Sequence, residues 1–423
     1  MPRYSMPRIT ASSVSLCLLL VLGCAGPRER IVRVATFNAS LNRDQPGQLV
    51  RDLSTPDNPQ ARNVAELIQR VRPDVLLINE FDWSEDRRAP ELFQANYLSV
   101  SQNGAKPIEY PFRVYLPVNT GVPSGFDLDN DGQVVTSFGT RGYGNDCFGF
   151  GQFPGQYGML LLSKFPFESS QFVREFREFL WKDMPEPMLP TKPDGSPWYS
   201  DEELAVLRLS SKSHWDVSLK IGKRPVHVLA SHPTPPAFDG PEDRNGKRNH
   251  DEIAFWAYYI GHDASATRLP QPTKGNFCST LTDQPDGRGG RAPSFVIVGD
   301  MNADPNDGGS VPGAIRQLLD HPRVNAGFIP TSDGAVEASQ MQRGKNESQK
   351  GEARFDTADF SDGENGPGNL RVDYVLPSSN LRVITGGVFW PASSDPLHRL
   401  VEMNPVATSD HRMVWLDVSV PQK

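Results

Sequence analysis

The chain consists of short, almost wholly apolar segments separated by long polar stretches, and this pattern limits what it can fold into. Short apolar runs bounded by turn residues are typical of buried strands. Residues 61–71 instead carry apolar side chains at helical spacing, and Pro73 ends that helix. Strands that alternate with helices predict a layered α/β fold. The predicted strands are residues 31–37, 75–78, 159–162, 226–230, 295–298, 371–376 and 413–418.

The length and composition are compatible with a single large domain. The 423 residues are 37% hydrophobic, and neither an internal repeat nor a change in composition divides them. We therefore predict one catalytic domain over residues 24–423. Residues 184–198 are rich in Pro, and residues 334–368 are rich in Gly, Asp and Glu, which predicts inserted surface loops. A helix is expected from residue 250 to about 261, with Asn249 as its N-cap.

The N-terminus has the character of an export signal. Arg3 and Arg8 precede an apolar run at residues 14–23 that is too short to span a bilayer as a permanent helix. This run ends in VLGC, which resembles the bacterial lipobox, so residues 1–23 are expected to be removed and Cys24 lipidated. The alternative is an ordinary signal peptide. The sequence thus predicts an exported lipoprotein on a membrane, or a periplasmic or secreted protein if it is cleaved without lipidation.

Export also affects how the other cysteines are interpreted. Besides Cys17 and Cys24, the chain contains Cys147 and Cys278. Two remaining cysteines in an oxidising compartment usually pair, which predicts a disulfide between them. The alternative is two unrelated buried thiols.

The charge of the chain argues against a protein that grips nucleic acid. The net charge is −8, whereas proteins that hold a nucleic acid backbone usually present a basic surface. A nuclease would need a local basic cleft. Arg244, Lys247 and Arg248 form one cluster that could supply it, although such a run more often caps a solvated helix start.

Six segments share a second pattern, in which a strand ends in polar residues that can bind a metal or a phosphate. Strand ends in a layered α/β fold point side chains into a common mouth. A single Asp or Asn after a strand is more often a turn or capping residue, so the prediction depends on the six together. The segments are Thr36-Phe37-Asn38, Ile78-Asn79-Glu80, Ala230-Ser231-His232, Gly299-Asp300-Met301-Asn302, Arg371-Val372-Asp373-Tyr374 and Thr408-Ser409-Asp410-His411.

In this order the six segments resemble the endonuclease/exonuclease/phosphatase superfamily, from residue 31 to about residue 420. The most specific pieces are VIVGDMNADP at 296–305, SDH at 409–411 and the strand-end pair Asn38 and Glu80. The resemblance implies a four-layered α/β sandwich, with two mainly antiparallel sheets packed face to face and helices outside. It also implies a Mg²⁺-dependent hydrolase of phosphate esters that uses water and forms no covalent intermediate.

The resemblance implies a role for each residue type. Mg²⁺ prefers carboxylate and amide oxygens, so Glu80 and Asn38 are expected to hold it, with Mn²⁺ as an alternative ion and Asp410 holding or sharing the metal. Asp300 would align or deprotonate the attacking water, and Asn302 would donate hydrogen bonds to the phosphate.

Two histidines complete the implied mechanism. His411 and Asp373 resemble the family's His–Asp pair, in which the carboxylate fixes the imidazole and raises its pKa. His232 stands where deoxyribonuclease-like members carry a second His that protonates the leaving group. Abasic-site endonucleases lack that His, so its presence points away from them.

Two weaker features accompany this set. Asp127, Asp129 and Asp131 match the first half of a Ca²⁺ loop, but Phe138 stands where an EF-hand requires Glu, so a looser calcium site and an acidic solvated turn are both open. Lys212 or His214 could contact phosphate, because deoxyribonucleases place a cationic residue near this position. The alternative is a surface Lys and a half-buried His.

Three functions follow from this reading. The first is an exported, monomeric phosphoesterase acting on nucleotide, lipid or inositol phosphates. The second is a secreted nuclease that degrades DNA or RNA. The third is a non-catalytic lipoprotein that uses the fold for binding. The motifs do not predict the substrate, because substrate specificity depends on the loops.

Overall fold

The computed structural model describes residues 1–2, 29–169, 173–222, 225–261 and 293–422. The signal segment, apart from its first two residues, together with Cys24 and Cys278, lies outside the described residues. The strands are β1 (Glu29–Leu41), β2 (Val75–Phe81), β3 (Phe112–Val114), β4 (Met159–Ser163), β5 (Val173–Glu175), β6 (His214–Leu219), β7 (Val226–Ser231), β8 (Ser294–Asp300), β9 (Asp373–Pro377), β10 (Arg382–Val388) and β11 (Val414–Pro421).

Helices occupy the connections between the strands. The α-helices are α1 (Gln48–Leu53), α2 (Pro59–Val71), α3 (Ala89–Phe93), α4 (Asp201–Leu204), α5 (Arg244–Ile260), α6 (Arg316–Leu319) and α7 (Asp333–Gln342). Single turns of 3₁₀ or π helix lie at Gln94–Leu98, Tyr143–Asp146, Trp181–Asp183, Gly344–Ser348, Ala353–Phe355 and Pro396–Leu400.

The strands form two sheets, one of six strands in the order β10-β11-β1-β2-β4-β3 and one of five strands in the order β5-β6-β7-β8-β9. In each sheet one pair is parallel, β1 with β2 and β7 with β8, and the other pairs are antiparallel. The expectation of two mainly antiparallel sheets is confirmed.

The alternation of side chains along each strand divides the interior into layers. In β1, Val32 and Val34 point into the core between the two sheets, and Ala35 and Phe37 point to the opposite face, against α1 and α2. The outer face of the second sheet packs against α5 and α6. The result is a four-layered α/β sandwich, as expected, with strand ends from both sheets brought to one rim.

Most of the strands and α2 lie where the apolar pattern placed them, but the start of α5 was predicted wrongly. The helix begins at Arg244, not at residue 250, and Asp243 is its N-cap. Asn249 therefore lies inside the helix, where its Nδ2 donates to the carbonyl oxygens of Thr234 and Met301 at 2.8 and 2.9 Å. A tertiary contact explains this Asn, and helix capping does not. The edge strand β10 was missed because much of it is exposed and lacks an apolar run.

The two expected insertions differ in kind. Residues 184–198 are irregular apart from an isolated bridge between Thr191 and Pro197, as expected of a loop. The segment 334–368 is not only a surface loop, because it contains most of α7 and its Ala358 forms bridges to Leu370 and His411 in the interior. Within the described residues, no helix combines the length and apolar character needed to cross a membrane.

Candidate active site

Asp300, the last residue of β8, lies at the centre of the polar strand ends. Its Oδ2 is 3.1 Å from Asn38 Nδ2, 3.3 Å from His232 Nε2 and 3.7 Å from His411 Nε2. Asp300 is 1% exposed, so these contacts form in the interior of the rim. Four of the segments that the sequence singled out therefore meet at one carboxylate oxygen.

Glu80 joins the group through Asn38. The parallel pairing of β1 and β2 sets Asn38 opposite Asn79, and Asn38 Nδ2 donates to Glu80 Oε1 at 3.0 Å. Glu80 and Asn302 have φ angles of 59° and 50°, in the left-handed region that residues other than Gly rarely adopt. Such backbone strain is concentrated at functional sites, where the surrounding structure maintains it. Glu80 thus presents a carboxylate that is half-buried beside the central Asp300.

Asn302 is held beside the same carboxylate. Its backbone N–H donates to Asp300 Oδ1 at 2.9 Å, and its side-chain Nδ2 donates to the carbonyl oxygen of Pro233 at 3.1 Å. Asn302 therefore connects the end of β8 to the loop that follows His232. The side chain remains half-buried at the rim, where the sequence predicted a phosphate contact.

The electrostatics of the site keep Asp300 ionised. Burial would raise the pKa of Asp300, but the positive charge of His411 and a hydrogen bond from His232 outweigh it and hold the pKa below its ordinary value. An ionised carboxylate at this position can accept a proton from water or orient a cation.

His411 and Asp373 form the expected pair, with His411 Nδ1 2.9 Å from Asp373 Oδ2. The register of β8 and β9 sets Asp373 directly opposite Asp300. Burial lowers the pKa of His411, but the charges of Asp373 and Asp300 raise it well above its ordinary value. Burial also raises the pKa of Asp373 to about 6, against the lowering effect of His411. His411 is therefore a protonated imidazole at neutral pH.

The pKa of His232 is shifted in the opposite direction to that of His411. Burial lowers its pKa, the charge of Lys212 lowers it further, and the hydrogen bond with Asp300 opposes both effects. Its Nδ1 is buried and has no hydrogen-bond partner within the part of the chain that the structure describes. The two imidazoles beside Asp300 therefore differ in charge, one protonated and one neutral, which is an arrangement suited to acid–base chemistry.

Lys212 lies close to the site, and His214 does not act there. Burial lowers the pKa of Lys212, whereas the charges of Glu252, Glu80 and Asp300 oppose that shift, so this cation lies within electrostatic range of two central carboxylates. His214 is 1% exposed, and its two ring nitrogens contact Ser210 Oγ and the carbonyl oxygen of Glu252 at 3.0 and 2.9 Å. The prediction of a phosphate contact is wrong for His214, because both nitrogens are committed to core partners.

Asp410 lies beside the central group. Its Oδ1 is 3.5 Å from Ser40 Oγ and 3.4 Å from Ser409 Oγ, and its side chain is half-buried. Among the described residues it makes no hydrogen bond to Glu80 or Asp300. The structure therefore brings Asp410 to the same rim, and the metal that it was expected to share stays a prediction.

Two further residues at the site come from the segment that was predicted to be a loop. Thr357 Oγ1 donates to Asp373 Oδ2 at 2.9 Å and accepts hydrogen bonds from the backbone N–H groups of Val372 and Asp373. The ring of Phe360 lies edge-on to the His411 imidazole, with centroids 5.3 Å apart. No local motif marks either residue, because each is separated from the site by a long stretch of chain.

The donors present fit a hard divalent cation. Glu80 and Asn38 supply oxygen ligands of the kind that Mg²⁺ prefers, and they are linked by the hydrogen bond from Asn38 Nδ2 to Glu80 Oε1. Ligand atoms of Asp300, Asp373 and His411 also lie within 4.8 Å of one another. In that second group His411 Nδ1 is already paired with Asp373 Oδ2, so these two atoms are less available to a metal.

The acidic loop differs in detail from the calcium site that was predicted. Ligand atoms of Asp127 and Asp129 lie within 4.8 Å of each other and of Asp146, which the sequence did not single out. Asp131 instead accepts a hydrogen bond from the backbone of Gln133 at 2.8 Å. Both oxygens of Asp146 accept backbone hydrogen bonds, from Leu128 and Val135. Calcium binding stays a prediction, with Asp146 in place of Asp131.

Of the two cysteines in the predicted disulfide, the structure describes only Cys147. Cys147 is buried, and its Sγ lies 3.2 Å from the carbonyl oxygen of Tyr143. As a thiol it would have a pKa that burial raises to about 12, and little reactivity. Cys278 lies outside the described residues, and the disulfide stays a prediction.

Comparisons with known proteins agree with the fold and with the order of the motifs. Residues 35–411 match the model of the endonuclease/exonuclease/phosphatase family. Similar solved structures include a Beutenbergia cavernae protein described by that family name, which is 17% identical, with 93% of this chain and 72% of that chain covered and a TM-score of 0.47. No curated protein matches the sequence.

Other solved structures give lower similarity. The human Nocturnin catalytic domain is 13% identical, with 93% of this chain and 95% of that chain covered and a TM-score of 0.42. Sphingomyelinase C from Streptomyces griseocarneus is 13% identical, with 92% of this chain and 99% of that chain covered and a TM-score of 0.39. Likeness at this level carries no information about substrate.

Proposed function

Because this chain belongs to the endonuclease/exonuclease/phosphatase family, whose members hydrolyse phosphate esters, we propose that it is a Mg²⁺-dependent phosphoesterase that attacks its substrate directly with water. The observation that supports this proposal is the meeting of Asn38, His232 and His411 at one oxygen of Asp300, with Glu80 attached through Asn38. A protein that used the fold only for binding would have no need for two buried imidazoles, one protonated and one neutral, around an ionised carboxylate.

Glu80 and Asn38 would hold the metal, with Asp410 at its side. A bound Mg²⁺, or Mn²⁺ in its place, would neutralise phosphate oxygens and lower the barrier to attack by water. The ionised Asp300 orients the attacking water and accepts its proton. Asn302, half-buried at the rim, donates to the phosphate through its side chain when that group is released from Pro233.

His411 and His232 have different roles, one at the phosphate oxygens and the other at the leaving group. His411, protonated and oriented by Asp373, donates a hydrogen bond to the phosphate oxygens as negative charge develops on them. His232 is neutral beside Lys212 in the free protein. A phosphate placed next to it would offset the charge of Lys212 and raise the pKa of His232, so that the imidazole gains the proton that it passes to the leaving group.

The decisive test is metal-dependent hydrolysis of bis-p-nitrophenyl phosphate by the purified soluble chain. We expect activity with Mg²⁺ or Mn²⁺ that EDTA abolishes, and a loss of at least about a thousandfold in kcat for Asp300→Ala and His411→Ala. His398→Ala changes a histidine away from the site and serves as the matched control, with full activity expected. A wild-type protein as inactive as the two site variants across metals and substrates would contradict the proposal.

The basic cluster favours a small ester over nucleic acid. Arg244 pairs with Glu242, Lys247 Nζ donates to the carbonyl oxygen of Glu242, and the buried Arg248 donates to backbone carbonyls that include that of Leu209. These cations are engaged within the fold, so they do not supply the free basic cleft that a nuclease requires. Nucleotide, phospholipid and inositol phosphate substrates should therefore be cleaved faster than plasmid DNA or RNA at equal phosphate concentration. The reverse ranking would favour the nuclease.

We also propose that the protein is exported, anchored to a membrane through Cys24 and monomeric. The VLGC motif and the short apolar run before it support export and the anchor at Cys24. Labelled fatty acid should be incorporated by the full chain and not by Cys24→Ser. Equal incorporation in the variant would contradict lipidation at this position.

A further inference from the structure

A cavity of about 260 Å³ lies outside the active site, on the helix side of the second sheet. It is bounded by the loop after β8, by α6, by residues 351–356 and by Arg371. Its walls combine apolar side chains, among them Leu319, Ala326 and Phe355, with acidic ones. A cavity of this size accommodates a small organic molecule.

Asp356 is the unexplained group in this cavity. The side chain is 5% exposed, and its Oδ2 is buried without a hydrogen-bond partner among the described residues. Buried carboxyl groups are nearly always paired, so a group of this kind requires an explanation. Its acidic neighbours have partners. Asp304 accepts backbone hydrogen bonds from Asn306, Asp307 and Arg371, and Asp307 accepts them from Lys350 and Gly351.

The charges around the cavity favour a cation over an anion. Four acidic residues and two arginines line it. Arg316 Nη2 lies 3.3 Å from Asn306 Oδ1, and the guanidinium of Arg371 lies over the ring of Tyr374 at 4.8 Å, so both arginines are engaged. Asp356 forms no ion pair among the described residues, and it is the member of this set with a buried carboxylate oxygen that lacks a hydrogen-bond partner there.

The geometry favours an organic cation over a metal ion. Among the described residues, Asp356 does not belong to any group of three acidic, His or Cys side chains whose ligand atoms lie within 4.8 Å of one another. A Ca²⁺ or Mg²⁺ ion would therefore gain few protein ligands. The apolar walls instead suit the hydrocarbon part of an amine.

We propose that this cavity is a binding site for a small organic cation, consisting of a primary ammonium group on a compact apolar body, with Asp356 as its counter-ion. The proposal goes beyond the phosphoesterase function and does not depend on it. The ammonium group would donate a charge-assisted hydrogen bond to Asp356, and the apolar body would pack against Leu319 and Phe355.

The site should be sensitive to pH. Burial, followed by the charges of Asp304 and Asp307, raises the pKa of Asp356 to about 8. The carboxyl group is therefore mainly protonated at pH 6.5, and it becomes ionised as the pH rises toward 8.5. Binding of an ammonium ion should tighten over this interval. The other charged groups that line the cavity are Asp320, Glu352, Arg316 and Arg371.

The test is calorimetric titration of the full soluble chain with benzylamine, which is protonated in this pH range, and with benzyl alcohol as its neutral counterpart. We expect benzylammonium to bind with a Kd of about 1 mM or tighter at pH 8.5, and at least about tenfold more tightly than benzyl alcohol. Asp356→Asn should abolish that preference, and Ala326→Trp should fill the cavity and abolish binding of both probes. Asp201→Asn, which removes an exposed carboxylate elsewhere, should bind like the wild type.

Three results would overturn the proposal: no binding of benzylammonium by the wild type, equal affinity for the two probes, or an unchanged preference in Asp356→Asn. Asp356→Asn should fold normally, because it is nearly isosteric and removes no side-chain hydrogen bond to the buried oxygen. Hydrolysis of bis-p-nitrophenyl phosphate by the same preparations reports separately on the phosphoesterase, so failure of one proposal can be distinguished from failure of the other.

Discussion

Replacement of Thr357 by Val should change the pH dependence of catalysis. Thr357 Oγ1 donates to Asp373 Oδ2 at 2.9 Å, and the other carboxylate oxygen of Asp373 has no hydrogen-bond partner in the described ranges. A hydrogen bond to a buried carboxylate is worth roughly 1.5–3 kcal/mol and stabilises the ionised form. Its loss should therefore raise the pKa of Asp373, which is about 6 in the native protein.

The size of the effect follows from the conversion of about 1.4 kcal/mol per pKa unit. A loss of roughly 1.5–3 kcal/mol raises the pKa of Asp373 by about one to two units. At pH 7 the ionised fraction would fall from about nine-tenths to between about a half and a tenth. In the molecules whose Asp373 is protonated, His411 loses the neighbouring negative charge that keeps its imidazole protonated. We expect kcat at pH 7 to fall about two- to tenfold, with KM little changed, and the acidic limb of the kcat profile to move up by one to two pH units.

The assay is a pH–rate profile with bis-p-nitrophenyl phosphate and Mg²⁺ between pH 5 and 9.5. Thr357→Ser retains the hydroxyl and should restore the wild-type profile, whereas Thr385→Val, on the exposed edge strand β10, should leave it unchanged. Denaturant unfolding of each variant should accompany the assay, since Thr357 also accepts two backbone hydrogen bonds. An acidic limb in Thr357→Val that coincides with that of the wild type would refute the role of this hydrogen bond.

Three other outcomes are expected. Lys212→Met should lower kcat/KM at least about tenfold and raise the pKa of His232. Lys220→Met, at an exposed position, should do neither. Unchanged kinetics in Lys212→Met would show that Lys212 takes no part in the site. His214→Gln should lower the free energy of unfolding by about 1–3 kcal/mol and leave kcat per folded molecule unchanged. A variant that loses activity but keeps its full stability would support the prediction that His214 contacts phosphate. Asp356→Asn should stabilise the protein by about 3 kcal/mol more at pH 8.5 than at pH 5.5 in denaturant titrations. A carboxyl whose folded pKa is raised destabilises the native state by about 1.4 kcal/mol per pH unit as the pH rises from its unfolded pKa near 4 to about 8. An equal effect at both pH values would contradict the raised pKa.

The placement of the strands and of the polar residues that end them could be derived from the sequence. The strands located from the sequence are mostly apolar runs, and the polar side chains at their ends are carried to the rim by covalent attachment to them. Asn38, Glu80, Asp300 and Asp373 were located in this way, and the register of paired strands then set Asp300 opposite Asp373.

Contacts between distant segments could not be derived in the same manner. Thr357 reaches Asp373, and Phe360 reaches His411, from a segment whose polar composition predicted a solvent-exposed loop. His214 has the same residue type as His232 and His411, but its two nitrogens are occupied by core partners. Residue type and local spacing carry no information about which side chains a fold will bury together.

The amino-acid sequence by itself therefore determined the layered α/β class, the family and the chemical groups at the rim, since these depend on periodicity and on residue identity close along the chain. Only the tertiary structure decided the charge of each group. Burial and neighbouring charges act over a few ångströms in space, and they make His411 a cation, His232 a neutral imidazole and Asp356 an unpaired acid. Those surroundings come from segments that are far apart in sequence and are brought together only by packing.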